Sequence, residues 1–205
     1  MYRSSIIHNF INRIDMKNII YTLLLVIIVK FEPSAFCADW PVWGGNGSRN
    51  MVSSETKLAL EFDPGEMGDN EKVNLSSTKN VKWVAKLGSQ AYGNVTIGNG
   101  YVFVGTNNES PRDPKKKGDR GVVLCLDEKT GDLKWQLVIP KLGAGKVSDW
   151  EYIGVCSSPA IDGDKVYVVT NRCEVVCLDL QGFANGNDGP FVDEANYIRP
   201  KGTQD

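Results

Sequence analysis

This chain repeats itself, and the spacing of the copies limits its fold more than any other feature. Val95 to Asn107 (VTIGNGYVFVGTN) lines up with Pro159 to Asn171 (PAIDGDKVYVVTN) at an offset of 64 residues. Val123-Leu124-Cys125-Leu126-Asp127 matches Val175-Val176-Cys177-Leu178-Asp179 at an offset of 52. The 12-residue difference is a polar insertion in the first copy, around Asn108 to Arg120. Val81-Lys82-Trp83 echoes Leu133-Lys134-Trp135, again 52 residues apart. Self-similarity at such a period marks a supersecondary unit that buries its apolar face only by stacking on its neighbours. Each unit reads as hairpin, strand, turn, strand: a set of four antiparallel strands.

The segments within the unit are of β type. Val81 to Leu87, Tyr101 to Val104 and Lys165 to Val169 alternate with period two and favour β-branched and aromatic residues. Gly98-Asn99-Gly100 and Asp162-Gly163-Asp164 are hairpin turns by composition. Beyond residue 38 nothing shows helical periodicity, so the expected class is all-β. Apolar residues at 41% and charged residues at 23% are ordinary globular usage and allow a packed core. A net charge of −2 gives no long-range attraction to nucleic acid or to an anionic membrane. The one dense basic run, Lys115-Lys116-Lys117, lies among Pro114, Gly118 and Asp119 without interleaved aromatics. It reads as a solvated loop.

The first 38 residues stand apart. Ile19 to Val29 is an almost unbroken apolar run, preceded by Arg13 and Lys17 and followed by Ser34-Ala35-Phe36-Cys37-Ala38. These 11 residues suit the apolar region of a signal peptide and fall short of the roughly 20 needed to cross a bilayer. Residues 1–38 are therefore expected to be a signal peptide, starting at Met1 or Met16. Residues 39–205 are then the repeat region of an exported protein, periplasmic or extracellular. An uncleaved anchor is the alternative, and the export signal is the only expected membrane contact.

Cys125, Cys156, Cys173 and Cys177 follow the leader. Four cysteines in an exported chain allow three pairings. Cys173 to Cys177 has the wrong interval for a CxxC motif, and the single histidine, His8, is in the leader, so no Cys/His zinc site is expected in the mature part. Cys125 and Cys177 hold equivalent places in the repeat and are expected to point into the layer between units as small apolar residues. Cys156 with Cys173 is the expected disulfide, one before a strand and one after its return.

Cys125-Leu126-Asp127-Glu128-Lys129-Thr130-Gly131-Asp132-Leu133-Lys134-Trp135 resembles the AxDxxTGxxxW signature of PQQ-like (pyrroloquinoline-quinone-like) β-propeller repeats, with Cys for Ala at the first position. Asp127 and Thr130 are expected to cap a tight turn, and Gly131 to take the positive φ it requires. The resemblance implies that Trp135 docks between adjacent blades. It covers roughly residues 39 to 195, including the opening Trp40-Pro41-Val42-Trp43-Gly44. The second copy departs from the pattern after Asp179, where Gly182-Phe183-Ala184-Asn185-Gly186 replaces the Thr-Gly and the Trp. The implied fold is a partial β-propeller of four-stranded antiparallel blades, about two of them here, with the Trp83 stretch as a closing strand. The expectation is a fragment of a longer propeller.

Two functions follow from the resemblance. One is a non-catalytic scaffold for a protein partner or a small ligand. The other is a quinoprotein alcohol dehydrogenase, in which PQQ sits beside Ca²⁺ and an Asp base in the central channel. The adjacent Cys-Cys pair of that class is absent here, and no Glu, Asn and Asp ligand set is recognisable. PQQ and Ca²⁺ therefore enter through the resemblance alone, and no catalytic, cofactor-binding or metal-binding residue is assigned. Asn185 to Glu194 lacks the ligand spacing of an EF-hand. The scaffold is the preferred reading, on fold-level analogy.

Overall fold

The computed structural model describes residues 38–56, 58–69, 71–143, 150–186 and 192. The signal peptide expected over residues 1–38 lies, Ala38 apart, outside the described residues, as does most of the Asn185 to Glu194 stretch. Regular structure among the described residues is β, apart from one 3-10 turn at Leu75–Ser77.

Strands β1 (Thr96–Gly98), β2 (Tyr101–Asn107), β3 (Arg120–Asp127) and β4 (Leu133–Pro140) form an antiparallel sheet in sequence order. Strands β5 (Ala160–Asp162), β6 (Lys165–Val169) and β7 (Val175–Asp179) form a second one. Both copies begin with the predicted two-residue hairpin. Gly98 faces Tyr101 across Asn99 and Gly100, whose φ values are 54° and 82°; Asp162 faces Lys165 across Gly163 (φ 59°) and Asp164. Positive φ at the turn matches the right-handed twist of the flanking strands. The polar insertion lies between β2 and β3, with Lys115, Lys116 and Lys117 exposed.

The second unit contributes three strands among the described residues. One expectation is corrected here. Val81 to Leu87 is not a strand of either sheet: among the described residues no backbone group bonds to its own. Its burial still alternates along the chain, and Trp83, Ala85 and Leu87 pack against Val102, Val104, Val122, Leu124 and Leu126. The period-two pattern in that segment reports one-sided packing rather than pairing.

The core lies on both faces of the first sheet. One face meets the Trp83 segment; the other meets the second sheet. Phe103 and Cys125 pack with Ile161, Val166 and Leu180, while Val123 and Ile139 pack with Val155 and Val168. Because successive strand residues point to opposite faces, β2 and β3 are buried along nearly their whole length and apolar through their middles, as strands covered on both sides must be. The opening segment ties the two sheets together at β1 and β5. Trp40 exchanges backbone hydrogen bonds with Ile97 (2.8 and 3.0 Å), and Ile161 N–H donates to Pro41 O (2.8 Å).

Candidate functional site

The chemistry-bearing residues of the signature gather where one layer meets the next. Asp127 ends β3 and organises the turn to β4. Its Oδ1 accepts from the backbone N–H of Lys129 (2.8 Å) and Thr130 (3.0 Å), and its Oδ2 lies 3.0 Å from Lys134 Nζ. Thr130 Oγ1 donates to Asp132 Oδ2 (2.7 Å) and accepts from Asp132 N–H (3.2 Å). The hydrogen bond from Lys134, followed by those from the two backbone amides, lowers the Asp127 carboxyl to about 2. Lys134 is raised in turn by the same contact. This carboxylate is occupied as a charged acceptor and is badly suited to remove a proton from a substrate.

Gly131, at φ 77°, closes the turn and leaves room for an indole. A Cβ there would stand 2.6 Å from Trp83 Cδ2. The indole of Trp83 lies over the turn, with Nε1 donating to Glu128 O at 2.9 Å. The next layer repeats the arrangement. Trp135 Nε1 donates to Leu180 O at 3.0 Å, and Gly182, at φ 62°, sits beneath its ring with a would-be Cβ 2.7 Å from Cδ1. Asp179 Oδ1 accepts from Gln181 N–H at 2.6 Å, in the manner of Asp127. Phe103 completes the second seat, its ring 5.6 Å from that of Trp135 at 54°. The second copy has thus lost the Thr-Gly pair but keeps a glycine under the tryptophan. That glycine comes one residue earlier after its aspartate than Gly131 does.

A second clamp was not assigned from the sequence. Asn107 is buried at the end of β2 and holds the far end of the Trp83 segment. Its Oδ1 accepts from Ser89 N–H (3.0 Å), and its Nδ2 donates to Ser89 Oγ (2.8 Å) and Tyr152 O (2.5 Å). Thr106 Oγ1 accepts from Gly88 N–H (3.0 Å) and donates to Gln90 O (2.7 Å). Asn171, 64 residues on, donates to Pro140 O (3.2 Å) at the end of β4. The two asparagines align in the repeat; that alignment was the available signal.

The cysteines divide as their layers do. Cys125 is fully buried between the sheets, and burial pushes its thiol up to about 12. Cys177, its repeat equivalent, is exposed on the face of the second sheet turned away from the first. Cys156 and Cys173, the expected disulfide pair, flank β5 and β6 on either side. Cys156 Sγ lies 3.9 Å from Gly154 O, ahead of β5. Cys173 occupies a left-handed position (φ 60°) in the β6–β7 turn, closed by its own N–H to Thr170 O (3.1 Å) and Thr170 N–H to Glu174 O (2.8 Å).

An open depression of about 430 Å³ lies beside the opening segment, lined by Val42, Trp43, Arg49, Ser158, Pro159 and Ala160. Among the described residues, no three His, Cys, Asp or Glu side chains gather into a cation site. The signature acids Asp127 and Asp179 are already engaged by turn amides. The described donors do not fit a PQQ–calcium site.

Residues 44–188 match the PQQ-repeat family described as outer membrane protein assembly factor BamB. No curated protein matches the chain. The match spans well over half of the sequence and contains both tryptophan seats, so the chain belongs to the PQQ-repeat family of the outer membrane protein assembly factor BamB.

Proposed function

We propose that this chain is an exported, non-catalytic scaffold whose PQQ-repeat blades form part of a β-propeller that binds or assembles a protein partner. The observation that carries the reading is the use made of the signature. Asp127, Thr130, Gly131 and Trp135 are all occupied in building a turn or seating an indole on it. A motif consumed by packing leaves no residue of its own to act on a substrate. Membership of a family described by an assembly factor supports the same reading, as does the apolar leader at Ile19 to Val29.

The test against the quinoprotein alternative is a titration of the purified full-length protein with PQQ and Ca²⁺, followed by absorbance. No saturable change is expected. Tight, stoichiometric uptake would overturn the scaffold. Export is tested separately by sequencing the mature N-terminus, expected at Ala38 or Asp39; a mature protein that retains residue 1 or residue 16 would refute cleavage.

A further inference from the structure

The opening segment carries two tryptophans, and packing uses one of them. Trp40 joins the two sheets through its backbone, and its ring lies over Gly45, where a Cβ would stand 2.9 Å away. Trp43 is 50% exposed, and its indole makes no hydrogen bond or ring contact among the described residues. It stands instead on the depression of about 430 Å³ beside β5, together with Arg49. The Arg49 guanidinium likewise bonds to none of the described residues.

The backbone is shaped to bring these two side chains to one place. Gly45 N–H donates to Val42 O (2.9 Å) and Arg49 N–H to Asn46 O (3.0 Å), closing two turns in succession. Asn46 Oδ1 holds the second turn, accepting from Ser48 N–H (2.9 Å) and Ser48 Oγ–H (2.6 Å). Gly44 is buried against the Arg49 stem, where a Cβ would stand 3.0 Å from Arg49 Cα. Arg49 itself sits at φ 52°, a left-handed position that a residue with a side chain takes at a cost. Such outliers gather where a ligand is held. The opposite wall is fixed as well. Ile161 N–H donates to Pro41 O (2.8 Å), and Ser158 Oγ accepts from Asn94 N–H (2.8 Å). The walls are in place before any ligand arrives, as is usual of small-molecule sites.

The lining selects a chemistry. Val42, Pro159 and Ala160 are apolar, and the polar side chains are those of Trp43, Arg49 and Ser158. An indole N–H and a guanidinium only donate hydrogen bonds. The Ser158 oxygen already accepts one, which leaves its O–H to give. No acidic or amide side chain lines the depression. We propose that it binds a small carboxylate carried on an aromatic or apolar body. The carboxylate meets Arg49, whose planar fork matches two oxygens. The body lies against the Trp43 ring and Pro159. This inference goes beyond the scaffold reading and holds whether or not that reading does.

The test is a titration of isotope-labelled full-length protein with sodium phenylacetate, followed by the indole N–H resonances. The Trp43 resonance, identified by its loss in Trp43→Phe, is expected to move saturably while those of Trp83 and Trp135 stay. Phenylacetamide, which has the same shape without the charge, is expected to bind about tenfold more weakly. Arg49→Gln is expected to weaken phenylacetate by a similar factor and to leave the Trp83 and Trp135 resonances in place. No saturable movement of the Trp43 resonance overturns the proposal, and so does equal binding of the acid and the amide, a comparison that needs no variant. Inorganic phosphate that competes as well as phenylacetate would also overturn it, since the apolar body would then contribute nothing.

Discussion

At the scale of single residues, one indole and one glycine hold each layer to the next. Trp135 needs both the space over Gly182 and the carbonyl of Leu180. Trp135→Phe keeps most of the apolar contact but leaves that carbonyl without its donor. It is expected to cost about 1 kcal/mol, read from the shift in a denaturant midpoint. Gly182→Ala meets two obstacles at once, a positive φ and a Cβ 2.7 Å from the ring. It is expected to cost about 1–3 kcal/mol in the same measurement. If the alanine variant proves as stable as wild type, the indole does not rest on this turn. The tryptophan, Asp127 and Gly131 were legible because their spacing is that of a known signature. Gly182 was not, because its register relative to Asp179 differs by one residue and only contact with Trp135 identifies it.

At the scale of the element, the Asp127–Asp132 turn carries the electrostatics. The Asp127 carboxyl lies at about 2 when folded, below its unfolded value of about 3.9. A depressed acid stabilises the folded state at every pH above the unfolded value. That contribution is lost as the pH falls through about 2. Asp127→Asn keeps an oxygen for the Lys129 and Thr130 amides but removes the charge facing Lys134. The variant is expected to be less stable than wild type at neutral pH, and its stability to decline less steeply between about pH 4 and pH 2. Parallel acid limbs in pH-dependent unfolding curves would rule out the ion pair as the cause. Both hairpins were legible at this scale, since Asn99-Gly100 and Gly163-Asp164 are chosen by local backbone preference. Val81 to Leu87 has the pattern of a strand but pairs with no backbone among the described residues, for a physical reason. Alternation reports which side of an extended chain is covered, and says nothing about what lies along its edge.

At the scale of the whole molecule, stability passes from layer to layer through nearest neighbours, as in other repeat folds. Removing the Trp135 indole should therefore loosen the second sheet before the first. In Trp135→Ala, amide exchange is expected to accelerate in β5, β6 and β7, while β2 and β3 keep their protection. Uniform loss across both sheets would show a single cooperative unit instead. The repeat made the class, the strands, the insertion between β2 and β3 and the signature turn readable from the sequence, because each follows from local preference and period. The clamps by Asn107 and Asn171 and the burial of Cys125 against the exposure of Cys177 were decided only by the tertiary structure. Equivalent residues share a local conformation, but burial depends on what stacks above them. Sheet two covers Cys125, and among the described residues nothing covers Cys177.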